Sequence, residues 1–398
     1  MNLVVTLDIC FDRTPDGKIW SLLRPYSFWD QYLTIFDSVK VIARVKDVNE
    51  PKPGWFQSNG ERATFVPMPF FVGPIQYLLH SGKVKRVLEE NVLPTDAVLT
   101  RAVNCFDSQL YPILKKRKQP FGVQVVVNPA TAMSKGAYHS VFRPYLKYRL
   151  PKLLKALCQD ASAVTYVTRQ TLQSLYPPLE KAFSNYYSNV RITPDAMIDQ
   201  SRRFSHFSEE RPARIVTVGS LANLNKAFDI LIKTVAHGLN QGLFLHLTIV
   251  GGGKEEGTLV ELTKSLGIEP YVTFLGYLHN VADVRKQFDE SDLFILPSRS
   301  EGMPRAMVEA MARALPCIGS NAGGIPELLP QEWIVPVNDI PALSNAIERM
   351  VTSPHLMNQS SKRNLEEAMK YHIDILSERQ REFLLNLRNI TVQWNEPR

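Results

Sequence analysis

From Ala213 to Ser353 the chain alternates short β-branched runs with amphipathic stretches, a rhythm that restricts it to a wound α/β domain. ARIVTVG precedes KAFDILIKTVAHG, LFLHLTIVGGG precedes EEGTLVELTKSLG, YVTFLG precedes VADVRKQFDES, and DLFILPS precedes PRAMVEAMARA. LPCIGS, GGIPELL, WIVPV and PALSNAIERMVTS close the series. Continuously apolar strands between helices predict a parallel sheet covered on both faces. In the first helix Phe228, Leu231, Ile232 and Val235 recur at helical spacing and predict one core-facing stripe.

The N-terminal half keeps the same rhythm less cleanly. LVVTLDI, SVKVIARV, ATFVPMP, AVLTR, FGVQVVV and AVTYVT read as strands, and GPIQYLLHSGKVKRVLEEN and FRPYLKYRLPKLLKALC as helices. The polar segment 192–213, ITPDAMIDQSRRFSHFSEERPA, reads as a linker, with the boundary near 195–212. The expected plan is two Rossmann-like domains, 1–200 and 210–370, with a helical region 371–398 behind them. Residues 358–390 are helical in pattern and too long for one capping helix.

At 398 residues the chain is long enough for two such cores. Its start, MNLVVTLDICFD, lacks a basic region followed by a sustained apolar run, and no stretch approaches the length of a membrane span. Cys10, Cys105, Cys158 and Cys317 form no metal or redox pair, so we expect reduced, mostly buried cysteines in a cytoplasmic protein. Residues 1–195 carry 25 basic against 15 acidic side chains, +10, and the remainder 21 against 24, −3, for a net +7. The N-terminal half therefore faces something anionic. With no nucleic-acid-binding signature, an anionic membrane surface or a phosphorylated acceptor fits better than nucleic acid.

The segment SRSEGMPRAMVEAMARALPCIGSNAGGIPEL, 298–328, carries most of the chemistry. It follows the strand DLFILP, so Ser298 to Met303 form a loop at a carboxyl edge, where α/β sheets bind ligands. Pro304 suits the first helical position. Met307, Ala310, Met311 and Ala314 form the buried stripe and leave Glu309 off it. Glu301 lies in the loop, and Gly302 permits close backbone approach. Two carboxylates placed this way can accept hydrogen bonds from the hydroxyls of one ribose and one sugar ring. In IVTVGSLANLNKAFDIL the strand ends at Gly219 and a helix begins near Lys226, which puts an ammonium beside helix-end amides, a site suited to a diphosphate. Gly251 to Gly253 close a third strand; alone they are as compatible with a plain turn as with a donor contact.

Glu301 with Glu309, the strand–Gly219–Ser220–x5–Lys226–helix segment and the later GGIPEL resemble the family 4 glycosyltransferases of GT-B fold, over about 214–340. The resemblance implies two Rossmann-like domains facing across a cleft, with a C-terminal helix crossing back to the N-terminal, acceptor-binding one. It implies retaining, metal-independent transfer from a nucleoside-diphosphate sugar to a glycan or lipid-linked acceptor in cell-surface polysaccharide assembly. The donor is then a substrate, and no cofactor is implied. Glu309 would hold the ribose, Glu301 the transferred sugar and Lys226 the diphosphate, with Gly302, Met303 and Pro304 lining the donor.

Three positions depart from the family pattern. Ser220 stands where many members have arginine, Ala227 where glycine usually follows the lysine, and Asn128 where a histidine often reaches the reacting sugar. Arg299 or Arg305 is expected to compensate for Ser220, and Asn128 is the candidate acceptor-side polar group. The loop Asp16-Gly17-Lys18 is either an ordinary turn or, as in the family's fold, an approach to the donor phosphates through Gly17. Asp289 and Asp292 read as helix-end carboxylates rather than a metal pair. The basic stretch 141–158 is either a membrane-lying helix or the solvated cover of its own sheet, with Pro144 and Pro151 interrupting it. A nucleotide-sugar epimerase of the same architecture and a non-catalytic glycosyltransferase-like subunit remain the alternatives.

Overall fold

A computed structural model describes residues 1–133, 140–190 and 192–396. The N-terminal domain contains strands β1 (Asn2–Arg13), β2 (Ile19–Ser21), β3 (Ser38–Asp47), β4 (Phe56–Gln57), β5 (Ala63–Met68), β6 (Ala97–Ala102), β7 (Gly122–Val125), β8 (Ala163–Tyr166) and β9 (Phe183–Tyr186). Its helices are α1 (Asp30–Leu33), α2 (Gly73–Asn91), α3 (Asp107–Arg117), α4 (Pro129–Ala132), α5 (Arg143–Asp160) and α6 (Thr171–Leu175). The parallel strands run β5-β3-β1-β6-β7-β8-β9, with β2 and β4 added antiparallel beyond the end of β1.

The C-terminal domain contains β10 (Ala213–Val218), β11 (Leu245–Val250), β12 (Val272–Gly276), β13 (Leu293–Leu296), β14 (Cys317–Ser320) and β15 (Ile334–Val335). Its helices are α7 (Phe228–Asn240), α8 (Glu256–Ser265), α9 (Val281–Asp289), α10 (Arg305–Ala312), α11 (Ile325–Leu328), α12 (Ile340–Val351) and α13 (Pro354–Met369). The sheet is parallel throughout in the order β12-β11-β10-β13-β14-β15. The strand order reverses between β10 and β13, so the loops leaving those two strands open side by side at the carboxyl edge. Every residue of β13 and β14 is buried, as apolar runs between two helix layers require. Phe228, Leu231, Ile232 and Val235 are buried as their spacing predicts, and Ile230, Thr234 and Ala236 join them, so α7 is enclosed on more than one side.

Helix α14 (Ile373–Asn395) returns to the N-terminal sheet. Phe383 and Leu387 lie over Gly122, where a Cβ would come within 3.2 and 3.0 Å of them. Two crossings join the domains side by side: Ile373 donates its N–H to Ile192 O at 2.9 Å. Ile192 thus pairs with the start of α14 just before the expected boundary region 195–212. The polar segment beyond it is a strap rather than a free linker. Arg202 donates to the carbonyls of Phe288, Ser291 and Arg313 at 3.0, 2.8 and 2.7 Å, tying the strap to the ends of α9 and α10.

At Gly17 the turn alternative is seen, and the expected interruption of α5 is corrected. β1 continues past a bulge between Leu7 and Cys10 and turns through Thr14–Lys18 into antiparallel β2, so Gly17 tops a hairpin. α5 runs unbroken through Pro151, its inner face carrying Leu154, Leu157 and Cys158. Cys158 and Cys317 are buried, whereas Cys10 and Cys105 are half-buried.

Candidate functional site

The loops at the reversal of the C-terminal sheet place Lys226 against Glu301. β10 ends beside Gly219, whose N–H donates to Val250 O at 2.9 Å. A Cβ at Gly219 would stand 3.1 Å from Lys226 Cγ and Cε, so the lysine stem lies flat over this glycine. Asn223 caps the short turn Leu224–Lys226 by accepting from Asn225 N–H at 3.0 Å. Ala227 follows in the left-handed region (φ 53°, ψ 37°) and α7 starts one residue later. Glycine takes that conformation freely, while alanine pays about 1 kcal/mol or more, which accounts for the family's usual glycine there. Lys226 Nζ then reaches Glu301 Oε1 at 2.6 Å.

Glu301 is held from several directions. Buried Ser298 donates its hydroxyl to the same Oε1 at 2.6 Å, and its own carbonyl accepts from Ser320 Oγ at 2.5 Å. Gly323 (φ 54°) crosses so closely that a Cβ there would fall 2.1 Å from Glu301 O. Gly324 N–H donates to Gly302 O at 2.7 Å. The glycines of GGIPEL thus clamp the loop that presents Glu301. Met303 is buried against Gly324, and Pro304 is the N-cap of α10 rather than its first helical residue. Sequence reasoning missed Ser298, whose burial was not legible from a serine ending a strand.

Glu309 lies in the second turn of α10, half-buried between the fully buried Val308 and Ala310. Burial raises its pKa above the usual glutamate value, against the opposing pull of Arg305 and Arg285. Gly302 faces the other domain: a Cβ there would stand 2.2 Å from Val126 O, just past β7. Thr131 Oγ1 and Ser300 Oγ lie 3.0 Å apart across the same contact. A second bridge is Glu327 of GGIPEL, which accepts N–H bonds from Arg169, Gln170 and Thr171 at 2.5, 3.1 and 2.6 Å at the start of α6.

Four expected residues take other work. Arg299 holds Asp229 through two bonds of 2.8 and 2.7 Å, donates to Asn338 Oδ1 and Leu224 O, and is 11% exposed. It therefore fixes the Lys226 turn and does not replace a diphosphate ligand. Ser220 is exposed and accepts from Ala222 N–H at 3.2 Å. Asn128 spends its carbonyl oxygen on Ala130 N–H and the Tyr176 hydroxyl, at 3.0 and 2.6 Å, so it caps α4. Gly17 (φ 80°) is exposed in a turn closed by its own N–H on Thr14 O, with no atom within 4 Å of a Cβ there. Asp289 pairs with Arg313 at 2.7 and 2.8 Å and Asp292 with Arg214, so both are helix-end and strand-start staples. Gly251 and Gly253 pack against a neighbouring loop, Gly253 remaining exposed. They abut the Gly219–Ala222 loop, at 1.8 Å from Gly219 O and 2.2 Å from the Leu221 carbonyl carbon for a Cβ at each.

Residues 212–353 match the family described as Glycosyl transferases group 1. Protein CapJ of Staphylococcus aureus is 27% identical over 392 residues, covering 98% of this chain and 96% of that protein. An Escherichia coli UDP-Gal:alpha-D-GlcNAc-diphosphoundecaprenol alpha-1,3-galactosyltransferase is 35% identical over 118 residues, 29% of this chain and 30% of that one. Among solved structures, Anabaena Alr3699/HepE in complex with UDP-glucose superposes with a TM-score of 0.61 at 15% identity, covering 96% and 99% of the two chains. The fold is GT-B. A carboxylate–lysine pair stands at the reversal of the C-terminal sheet, and over that same domain the sequence is similar to the group 1 glycosyl transferases.

Proposed function

We propose that this chain is a retaining, metal-independent glycosyltransferase of the family 4 type. It takes a nucleoside-diphosphate sugar and passes the sugar to a glycan or lipid-linked acceptor in cell-surface polysaccharide assembly. The observation that carries the reading is the Lys226–Glu301 contact of 2.6 Å at the sheet reversal, with Glu309 farther along the helix that follows. UDP-glucose bound to HepE and the UDP-galactose named for the E. coli relative support a uridine nucleotide as donor.

In this reading the diphosphate competes for Lys226. A doubly charged ligand draws the ammonium off Glu301, which frees that carboxylate for the sugar hydroxyls while Ser298 keeps it in place. Glu309, ionised, accepts from the ribose diol. The leaving diphosphate is stabilised by Lys226 and the amides at the start of α7, preorganised electrostatics worth roughly several kcal/mol. The acceptor hydroxyl attacks from the face the diphosphate leaves. Lys226 supplies the counter-charge that a metal would otherwise give.

No helix among the described residues is long and apolar enough to cross a membrane. We place the enzyme on the cytoplasmic side, with the N-terminal domain resting on anionic lipid. α2, α3 and α5 form one layer over the N-terminal sheet. On its outside α2 exposes Ile75, Leu78 and Leu79, and α5 exposes Tyr145 and Tyr148 with Lys152 Nζ 3.9 Å over the Tyr148 ring. The test of the activity is transfer from a panel of nucleotide sugars in the presence of EDTA. Sugar transfer that survives chelation supports the reading. Activity lost in EDTA and restored by manganese refutes metal independence, and epimerised donor without transfer favours the epimerase alternative.

A further inference from the structure

The N-terminal sheet has its own reversal of strand order, between β1 and β6, and ligands enter parallel sheets at the carboxyl ends of such strands. Arginines occupy that point. Arg101 is one residue past the last β1–β6 pair, Thr6 with Thr100. The turn after it is fixed by a buried network. Asn104 Nδ2 donates to the Thr6 and Thr100 hydroxyls at 3.0 and 2.9 Å, and Asp107 accepts from Thr100 Oγ1 and Asn104 N–H at 2.5 and 2.8 Å. Arg24 enters from the loop after β2, its carbonyl accepting from Ser58 Oγ at 2.5 Å and its guanidinium 4.8 Å over the Phe28 ring. Arg305, the first residue of α10, lies within electrostatic reach of Arg24 from the other domain.

Arg305 has the Glu309 carboxylate within electrostatic reach, whereas Arg24 and Arg101 form no ion pair among the described residues. Arg24 Nε and Arg101 Nη1 are buried without a hydrogen-bond partner among the described residues. The charged groups that bear on Arg24 are Arg101 and Arg305, with the Tyr32 hydroxyl, and no carboxylate. Burial first, and Arg101 next, pull its pKa down to about 10. Elsewhere the chain compensates such groups, as Asp229 does for Arg299. A desolvated cation among like charges is unfavourable unless an anion completes it.

We propose that Arg24 and Arg101, with Arg305 closing from the C-terminal domain, receive a phosphate-bearing group of the acceptor. The proposal deepens the reading above and rests on its premise that an acceptor meets the N-terminal domain. Guanidiniums arriving from three separate elements match a multiply charged group with several oxygens better than one planar carboxylate, which a single fork satisfies. Arg305 stands four residues before Glu309 on α10, so a group held there adjoins the donor. The phosphate can be that of a free sugar phosphate or the diphosphate of a lipid-linked acceptor.

The experiment is calorimetry on the full chain with saturating UDP filling the donor site. The titrants are inorganic phosphate, glucose 6-phosphate and geranyl diphosphate. Wild-type protein should bind a phosphate-bearing titrant. Arg24→Gln and Arg101→Gln should each weaken that binding roughly tenfold or more while leaving UDP affinity unchanged. Arg24→Lys, which keeps the charge, should retain part of it. Unliganded Arg24→Gln should melt no lower than wild type, because it removes like-charge repulsion; a purely structural arginine would lower the midpoint. Preference for geranyl diphosphate assigns a lipid diphosphate, and preference for glucose 6-phosphate a free sugar phosphate. Binding of none of the three by wild type, or unchanged affinities in both glutamine variants, overturns the proposal. Failure of any nucleotide to bind, with phosphate still captured in an arginine-dependent way, counts against the donor reading alone.

Discussion

Glu301 gives its Oε1 to both Lys226 and Ser298, and its side chain is 8% exposed while that of Lys226 is 25% exposed. The two charges are therefore unequal partners in stability. Lys226→Ala leaves a nearly buried carboxylate facing only a hydroxyl, and should cost roughly 2–4 kcal/mol. Glu301→Ala leaves a lysine that can turn toward water, so its cost should be smaller. The double variant should be more stable than Lys226→Ala alone, although neither is expected to transfer sugar. Thermal unfolding of the four proteins checks this, and a loss in the double variant equal to the sum of the two single losses would show that the contact carries no coupling. Both residues were legible in the sequence from their place after strands. Their direct contact was not, because it depends on the left-handed Ala227 and the flat lysine stem over Gly219, which only three-dimensional packing sets.

At the scale of elements, the glycine-rich end of β11 shapes the loop that leaves β10. Gly251 has φ 143° and no space for a methyl group beside Gly219 O, so Gly251→Ala should destabilise the C-terminal domain by about 1–3 kcal/mol and weaken nucleotide binding with it. Gly257, near the start of α8 with nothing within 4 Å of a Cβ, is the contrast: Gly257→Ala should be neutral or stabilise by about 0.5–1 kcal/mol. Circular-dichroism melts of the two variants compare them directly, and a Gly251→Ala protein as stable as wild type would mean the loop does not depend on this fit. The element order of the C-terminal domain was readable throughout, since buried parallel strands are continuously apolar. Arg299 was misread because an arginine next to a donor loop looks free until Asp229, 70 residues earlier, is brought beside it. Asn128 was misread for a similar reason: Asn-Pro after a strand is also a helix-start signal, and here it caps α4.

At the scale of the molecule, two domains meet at the Gly302–Val126 approach and the Glu327 cap of α6, and α14 covers the far side of the N-terminal sheet. The strap 198–212 was misplaced as a linker because polar composition does not reveal that Arg202 will find three helix-end and loop carbonyls. The outer face of α2 and α5 belongs to this scale too. Its binding to liposomes should rise with anionic lipid and fall with salt, each cation near the surface adding about 1 kcal/mol. Replacing Arg149, Lys152 and Lys155 with Ser, or Leu78 and Leu79 with Ser, should weaken binding without changing transfer to a soluble acceptor. Wild-type protein that ignores anionic liposomes at low salt would leave that face as the plain cover of its sheet. The claim on which the rest depends is that the reversal of the C-terminal sheet grips a nucleotide through Lys226 and Glu309. Calorimetric titration of UDP in EDTA tests it most directly. Wild type should bind, and Glu309→Gln and Lys226→Ala should each lose roughly ten- to a hundredfold in affinity. Because burial raises the Glu309 pKa, wild-type affinity should fall as pH drops through that raised value, and Glu309→Gln should flatten the fall. UDP affinity that is the same in all three proteins and at every pH would contradict the account.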